Sequence, residues 1–123
     1  MIKKPLSDPA GCTGDIRAML DTLDILGGKW KLLILHYLMT REGERNTFKK
    51  MEKDIVGISA KMLTQELKIL EAHKLVNRTT LPTKPISVNY SITDYGKQTK
   101  PVIDALLTWG HNHRITLFSN HIH

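Results

Sequence analysis

Ser59-Ala60-Lys61-Met62-Leu63-Thr64-Gln65-Glu66-Leu67-Lys68-Ile69-Leu70-Glu71-Ala72-His73-Lys74 is the stretch that decides how this chain is read. Ser59 suits a helix N-cap, because its hydroxyl can accept from a free first-turn N–H. Wound at about 100° per residue, the segment separates into two faces. Ala60, Leu63, Leu67 and Leu70 make the apolar one. Lys61, Thr64, Gln65 and Lys68, spaced i, i+3, i+4, i+7, make the other, with Glu66 and Glu71 off its centre. That polar face holds donors, acceptors and two positive charges but no acid, which suits base edges and phosphates in a major groove. The same pattern also describes an ordinary amphipathic surface helix with a solvated basic side, so the neighbouring elements must decide between the two.

Upstream, Thr47 is a candidate N-cap for a short helix that turns Phe48, Met51 and Ile55 inward, and Gly57 breaks it. Downstream, Leu75 to Leu81 and Ile86 to Ile92 read as two strands. In the second, Ile86, Val88, Tyr90 and Ile92 alternate with Ser87, Asn89 and Ser91, the period of a strand with one buried face. Pro82-Thr83-Lys84-Pro85 forms the hairpin tip, where proline costs the ladder nothing. Before all these lie two further helices. One covers about 14–26, with Ile16, Met19, Leu20, Leu23 and Leu26 at helical spacing, and ends at Gly27-Gly28. The other runs from about Lys29 to Thr40 with a stripe of Trp30, Leu33, Ile34, Tyr37 and Leu38; the polar stretch 41–46 is a loop. Thr93 caps a last helix reaching about Ser119, kinked or split by Pro101. The order helix, helix, helix, helix, hairpin, helix describes a mainly α fold with a small β-hairpin, a winged helix-turn-helix.

Residues 1–12 read as an irregular arm, 13–119 as the domain and 120–123 as a tail. A chain of 123 residues with a hydrophobic fraction of 41% makes one ordinary globular domain. Its net charge of +6 favours anionic partners, with double-stranded DNA ahead of an acidic membrane. Lys29 and Lys31 near the start of the second helix, and Arg78 and Lys84 on the wing, are further candidate DNA contacts; Lys49, Lys50 and Lys53 are weaker ones. The chain has no signal-peptide core, its longest apolar run is Leu32 to Leu35, and Cys12 is its single cysteine. These point to a reducing, cytoplasmic setting without a membrane span. No nucleophile with a matched base, phosphate-binding glycine loop or metal-ligand spacing is present, so neither an enzyme nor a cofactor is expected. His111 and His113, two apart on a helix, cannot readily share a metal. No large ligand pocket is expected either.

The apolar side of the first helix (Ile16, Met19, Leu20, Leu23) and the surplus on the last (Val102, Ile103, Leu106, Leu107, Trp109, Leu117) suggest a homodimer, which would present two recognition helices to a palindromic site. The other reading is that these residues close the monomer core. The alternative function is a winged-helix module that binds protein, which would not need the acid-free face of Lys61, Thr64, Gln65 and Lys68.

Taken together, Cys12, Gly27-Gly28-Lys29-Trp30, Gly57-Ile58-Ser59, Lys61-Met62-Leu63-Thr64, Leu70-Glu71, Leu75-Val76, Tyr90-Ser91-Ile92-Thr93, Gly96, Pro101 and Trp109 resemble the HxlR-type regulators, winged-helix proteins related to the MarR group. The resemblance covers roughly residues 12–110. It implies homodimers, joined through the first and last helices, that repress or activate nearby genes. It also implies that Cys12 is a candidate sensor of oxidants or electrophiles; a buried, inert thiol is the other reading. The chain departs from the family pattern in four places. Residues 40–46 lack the usual Gly-Pro turn, Thr47 replaces an arginine, Thr13 replaces a proline, and Ile86-Ser87 replaces Pro-Arg on the wing, leaving Lys84 as the substitute wing contact.

Overall fold

A computed structural model of the chain describes residues 13–122. The arm and Cys12 lie outside the described residues. The elements are α1 (Thr13–Leu26), α2 (Lys31–Thr40), α3 (Phe48–Asp54), α4 (Ala60–Ala72), β1 (Val76–Leu81), β2 (Ser87–Ile92), α5 (Asp94–Lys97) and α6 (Lys100–Ile122). The strands pair antiparallel, from Val76 opposite Ile92 to Leu81 opposite Ser87. The expected order of elements is present throughout.

The core lies where α2, α3 and α4 meet the hairpin. Ile34, Leu35, Leu38, Met51, Leu63, Leu67, Leu70 and Val76 are all sealed from solvent. Around them pack Tyr37, Ile55, Ile58, Leu75, Tyr90, Ile92 and Leu26. Each such side chain contributes roughly 1.5–3 kcal/mol through loss of apolar surface to water.

Several boundaries and faces differ from the sequence expectation. α2 begins at Lys31 rather than Lys29, because Gly28 takes a left-handed φ of +93° that interrupts helical winding. Its buried side includes Leu35 and leaves Leu33 exposed. Ala60 is exposed, since it stands in the first turn of α4 ahead of the packed region, and Glu66 is buried in its stead. Ile86 is 70% exposed, because the ladder ends at Ser87 and leaves Ile86 in the tip. Ile103 is only 4% exposed and belongs to the monomer core. Pro101 splits the terminal helix: α5 is one turn, and α6 restarts at Lys100, so the proline occupies a first turn where its missing N–H costs little. The helix then continues to Ile122, so most of the expected tail is helical.

Two connections show why the elements join as they do. The α3–α4 turn passes through Gly57 at φ +91°, a left-handed conformation that glycine adopts without strain. The end of α4 uses the same region without a glycine. Lys74 has φ 64°, its N–H donates to the Glu71 carbonyl, and the Leu75 N–H donates to the Leu70 carbonyl. This is a Schellman motif closed by the burial of Leu70 and Leu75.

The end of the loop 41–46 docks on β2 through an unanticipated isolated bridge. The Tyr90 N–H donates to the Asn46 carbonyl at 2.9 Å, the Asn46 N–H donates to Asn89 Oδ1 at 2.6 Å, and Thr47 forms a bridge with Asn89. Asn46 Nδ2 donates to the carbonyls of Arg41 and Glu44, which folds the loop back on itself.

α2 and α3 are tied by Tyr37, whose hydroxyl donates to Asp54 Oδ2 at 2.7 Å under the guanidinium of Arg41. Burial, then the Asp54 carboxylate, pushes the Tyr37 pKa from 10.0 up to about 12. The folded state therefore holds this proton more tightly than the unfolded chain. The resulting stability is complete below pH 10 and is lost as pH rises toward 12. Tyr37→Phe should cost about 1 kcal/mol at neutral pH and flatten the decline in stability between pH 10 and 12, as read by urea unfolding of both proteins across that range.

Candidate nucleic-acid interface

α4 is the second helix of a helix-turn-helix whose first is α3. Ser59 Oγ accepts from the Met62 N–H at 3.1 Å, the expected cap, and Thr47 caps α3 in the same way through the Lys50 N–H. Burial of Leu63, Glu66, Leu67 and Leu70 leaves Lys61, Thr64, Gln65 and Lys68 together on the exposed side. The Thr64 hydroxyl donates to the Ala60 carbonyl at 2.8 Å, which leaves it acceptor capacity outward. Among the described residues, neither Lys61 nor Lys68 forms an ion pair.

The hairpin leans beside this helix. Between them runs a groove of about 540 Å³, walled by Thr64, Lys68, Glu71 and Arg78 and floored by Phe48, Val88 and Tyr90. The groove thus brings Lys68 of α4 and Arg78 of β1, ten positions apart in sequence, to one surface. Lys84 is exposed at the hairpin tip beside Pro85 and Ile86. Lys29 is exposed and stands over the Trp30 ring at 4.6 Å from its centroid, a cation–π contact that steadies it beside the start of α2. Lys49 and Lys53 are exposed on α3, whereas Lys50 pairs with Glu44.

Lys31 does not fit its expected role as a phosphate contact. Its ammonium lies 2.9 Å from the Glu66 carboxylate, with both side chains about nine-tenths buried. Glu66 is thus turned into the protein rather than sitting beside the polar face. A sequence signal for this exists: Leu63, Glu66, Leu67 and Leu70 follow i, i+3, i+4, i+7, the spacing of a buried stripe.

The other candidate surfaces lie on the two ends of the chain. Ile16, Met19, Leu20 and Leu23 of α1 are exposed, as are Val102, Leu106, Leu107, Trp109 and Leu117 of α6; Trp109 keeps 67% of its surface in solvent. Ile115 and Phe118, not anticipated, extend this surface. Ile103 is excluded from it by its place in the core. His113 stacks on Trp109 at 4.8 Å. No group of three or more potential metal ligands occurs among the described residues, and no helix there is long and apolar enough to cross a membrane.

Comparison with known proteins agrees with this geometry. Residues 25–116 match the HxlR-like helix-turn-helix family. The HTH-type transcriptional regulator YtcD of Bacillus subtilis is 38% identical over 92 residues, covering 75% of this chain and 71% of its own. A solved YtcD structure superposes with a TM-score of 0.71 at 35% identity, covering 77% of this chain and 94% of that one. The redox regulator HypR in its reduced form gives a TM-score of 0.72 at 30% identity over 83% of this chain and 98% of its own. Reduced YodB, a transcriptional regulator of B. subtilis, gives 0.64 at 32% identity over 85% and 91%. These relatives are regulators rather than enzymes, and this chain belongs to the HxlR-like helix-turn-helix family of transcriptional regulators.

Proposed function

We propose that the protein binds a specific DNA operator in the cytoplasm as a homodimer, with α4 of each subunit in a major groove and the β1–β2 wing against the flanking backbone. The observation that carries this reading is the exposed face of Lys61, Thr64, Gln65 and Lys68 on α4, of which Thr64 and Lys68 line one groove with Arg78 and Glu71, while Glu66 is paired with Lys31 inside the protein. Gln65 and Thr64 carry the donors and acceptors that read base edges; Lys61, Lys68, Arg78, Lys84 and Lys29 supply charge for phosphates. Ser59 contributes by holding the first turn in place.

The dimer reading rests on α6. Its 23 residues extend about 35 Å at 1.5 Å per residue, and Leu106, Leu107, Trp109, Ile115, Leu117 and Phe118 on it are in solvent. A second copy would cover Leu106, Leu107, Trp109 and Leu117 together with the apolar side of α1. Two-fold pairing would set the recognition helices for half-sites about one DNA turn apart. In this reading the domain spans residues 13–119, preceded by an arm.

A redox input through Cys12 is supported by the likeness to HypR, a redox regulator, and by a cysteine standing one residue before Thr13 in the sequence.

Three measurements test these readings. The double substitution Lys61→Ala/Gln65→Ala should weaken binding to a cognate fragment at least about tenfold, since one good base contact is worth roughly 1–3 kcal/mol. Binding would be measured on labelled genomic fragments at two salt concentrations. Weak binding that ignores sequence and survives the substitution would overturn the reading and favour a protein-binding module. In sedimentation, the wild type should run as a dimer at micromolar concentration and Leu106→Glu as a monomer, because the change would bury an unpaired carboxylate; a monomeric wild type refutes the dimer. Diamide treatment should change operator affinity in the wild type but not in Cys12→Ser; unaltered affinity with Cys12 fully modified removes the sensing role.

A further inference from the structure

The buried Lys31–Glu66 pair takes no part in the DNA-facing surface, yet it lies directly behind it. Lys31 is the first residue of α2, where a cation opposes the positive end of the helix. Glu66 is the one acid on the buried side of α4. Each charge is unfavourable in its own helix, and each is answered by the other at 2.9 Å. The Lys31 ammonium also donates to the Gly27 carbonyl at 3.3 Å. Gly27 is the residue that closes α1, its N–H donating to the Leu23 carbonyl. A Cβ at Gly27 would stand 2.3 Å from that carbonyl oxygen, so only glycine lets the chain turn this tightly toward Lys31. Three helices therefore meet at one ammonium: the end of α1, the start of α2 and the middle of α4.

We infer that Lys31 and Glu66 are positioning residues that set the angle of the recognition helix relative to α1, and so the geometry with which two half-sites are read. The inference rests on the DNA-binding homodimer proposed above. A buried pair suits this task because its geometry is exacting: the carboxylate must stay within hydrogen-bond reach of an ammonium already held by Gly27, whereas leucine contacts tolerate sliding. Burial also prevents solvent from screening the attraction.

Glu66→Gln gives the informative sign. If Glu66 were only an acid near DNA, removing its charge would tighten binding to every sequence. If it positions α4, affinity for the cognate operator falls about tenfold while affinity for random DNA is unchanged or slightly higher, so the specificity ratio collapses. Because a lone buried ammonium can unfold the domain, Lys31→Met/Glu66→Leu is measured beside it; this removes both charges with apolar side chains of similar size. That variant should melt within a few degrees of the wild type and still lose the specificity ratio. Amide hydrogen exchange on the free proteins supplies a readout without DNA: both variants should exchange faster across residues 27–31 and 60–72 than the wild type, with the interior of β2 unaltered. Unchanged exchange in these two segments, or an apolar double variant that keeps the wild-type specificity ratio within twofold, overturns the inference. A wild type with no sequence preference would refute the DNA-binding reading, and the exchange measurement would still decide whether the pair holds α4.

Discussion

Leu63, Leu67 and Leu70 share one sealed cluster with Ile34, Leu35, Leu38 and Met51, and this contact fixes which side of α4 faces water. Truncating any of the three leucines to alanine would typically cost 2–5 kcal/mol through lost transfer energy and the cavity left behind, a large part of the stability of a domain this size. The same burial that holds the helix also presents it. With the apolar stripe inward, the side chains half a turn away can only point out, and those are Lys61, Thr64, Gln65 and Lys68. The apolar contacts that hold the domain and the exposed polar side chains thus occupy opposite faces of one helix.

The junctions around α4 make that placement rigid. At its N-terminus the left-handed Gly57 and the Ser59 cap bring α3 and α4 together. At its C-terminus the left-handed Lys74 turns the chain into β1. Thr93 closes the same corner from the other side: its N–H donates to the Leu75 carbonyl and its hydroxyl donates to the Lys74 carbonyl at 2.7 Å, while its oxygen accepts from the Gly96 N–H. Gly96 lies so close to the Leu75 carbonyl that a Cβ there would come within 2.2 Å of the oxygen. The hairpin thereby leaves and re-enters the helical body at one point.

Charge and apolar surface are distributed with the same economy. Lys61, Lys68, Arg78 and Lys84 are exposed on α4 and the hairpin, and most of the large exposed hydrophobics lie on α1 and α6. Tyr37 and Asp54 show a third use of polarity, an internal bond that joins α2 to α3 and leaves the core composition apolar.

Local rules carried much of this protein. The caps at Ser59, Thr47 and Thr93 and the breaks at Gly28 and Gly57 depend on neighbours within one turn, and they stand where the sequence places them; the faces of α4 and β2 do so except at Ala60, Glu66 and Ile86. What local pattern could not decide was which of two similar faces finds a partner. Lys31 and Glu66 are 35 positions apart, and nothing within either helix tells a solvated lysine from one whose ammonium meets a carboxylate brought in by another element. Ile103 reads like its apolar neighbours on α6, yet it alone lies opposite the core while Leu106 and Trp109 pass beyond it. Asn46 and Asn89 look like loop and solvent-face residues until the fold sets them side by side to satisfy backbone groups. The sequence by itself determined the elements, their caps and the exposed polar side of α4, because these follow from short-range periodicity. Only the tertiary structure decided the pairing of charges, the ownership of apolar residues and the bridge between Thr47 and Asn89, because each depends on distances that the complete fold creates.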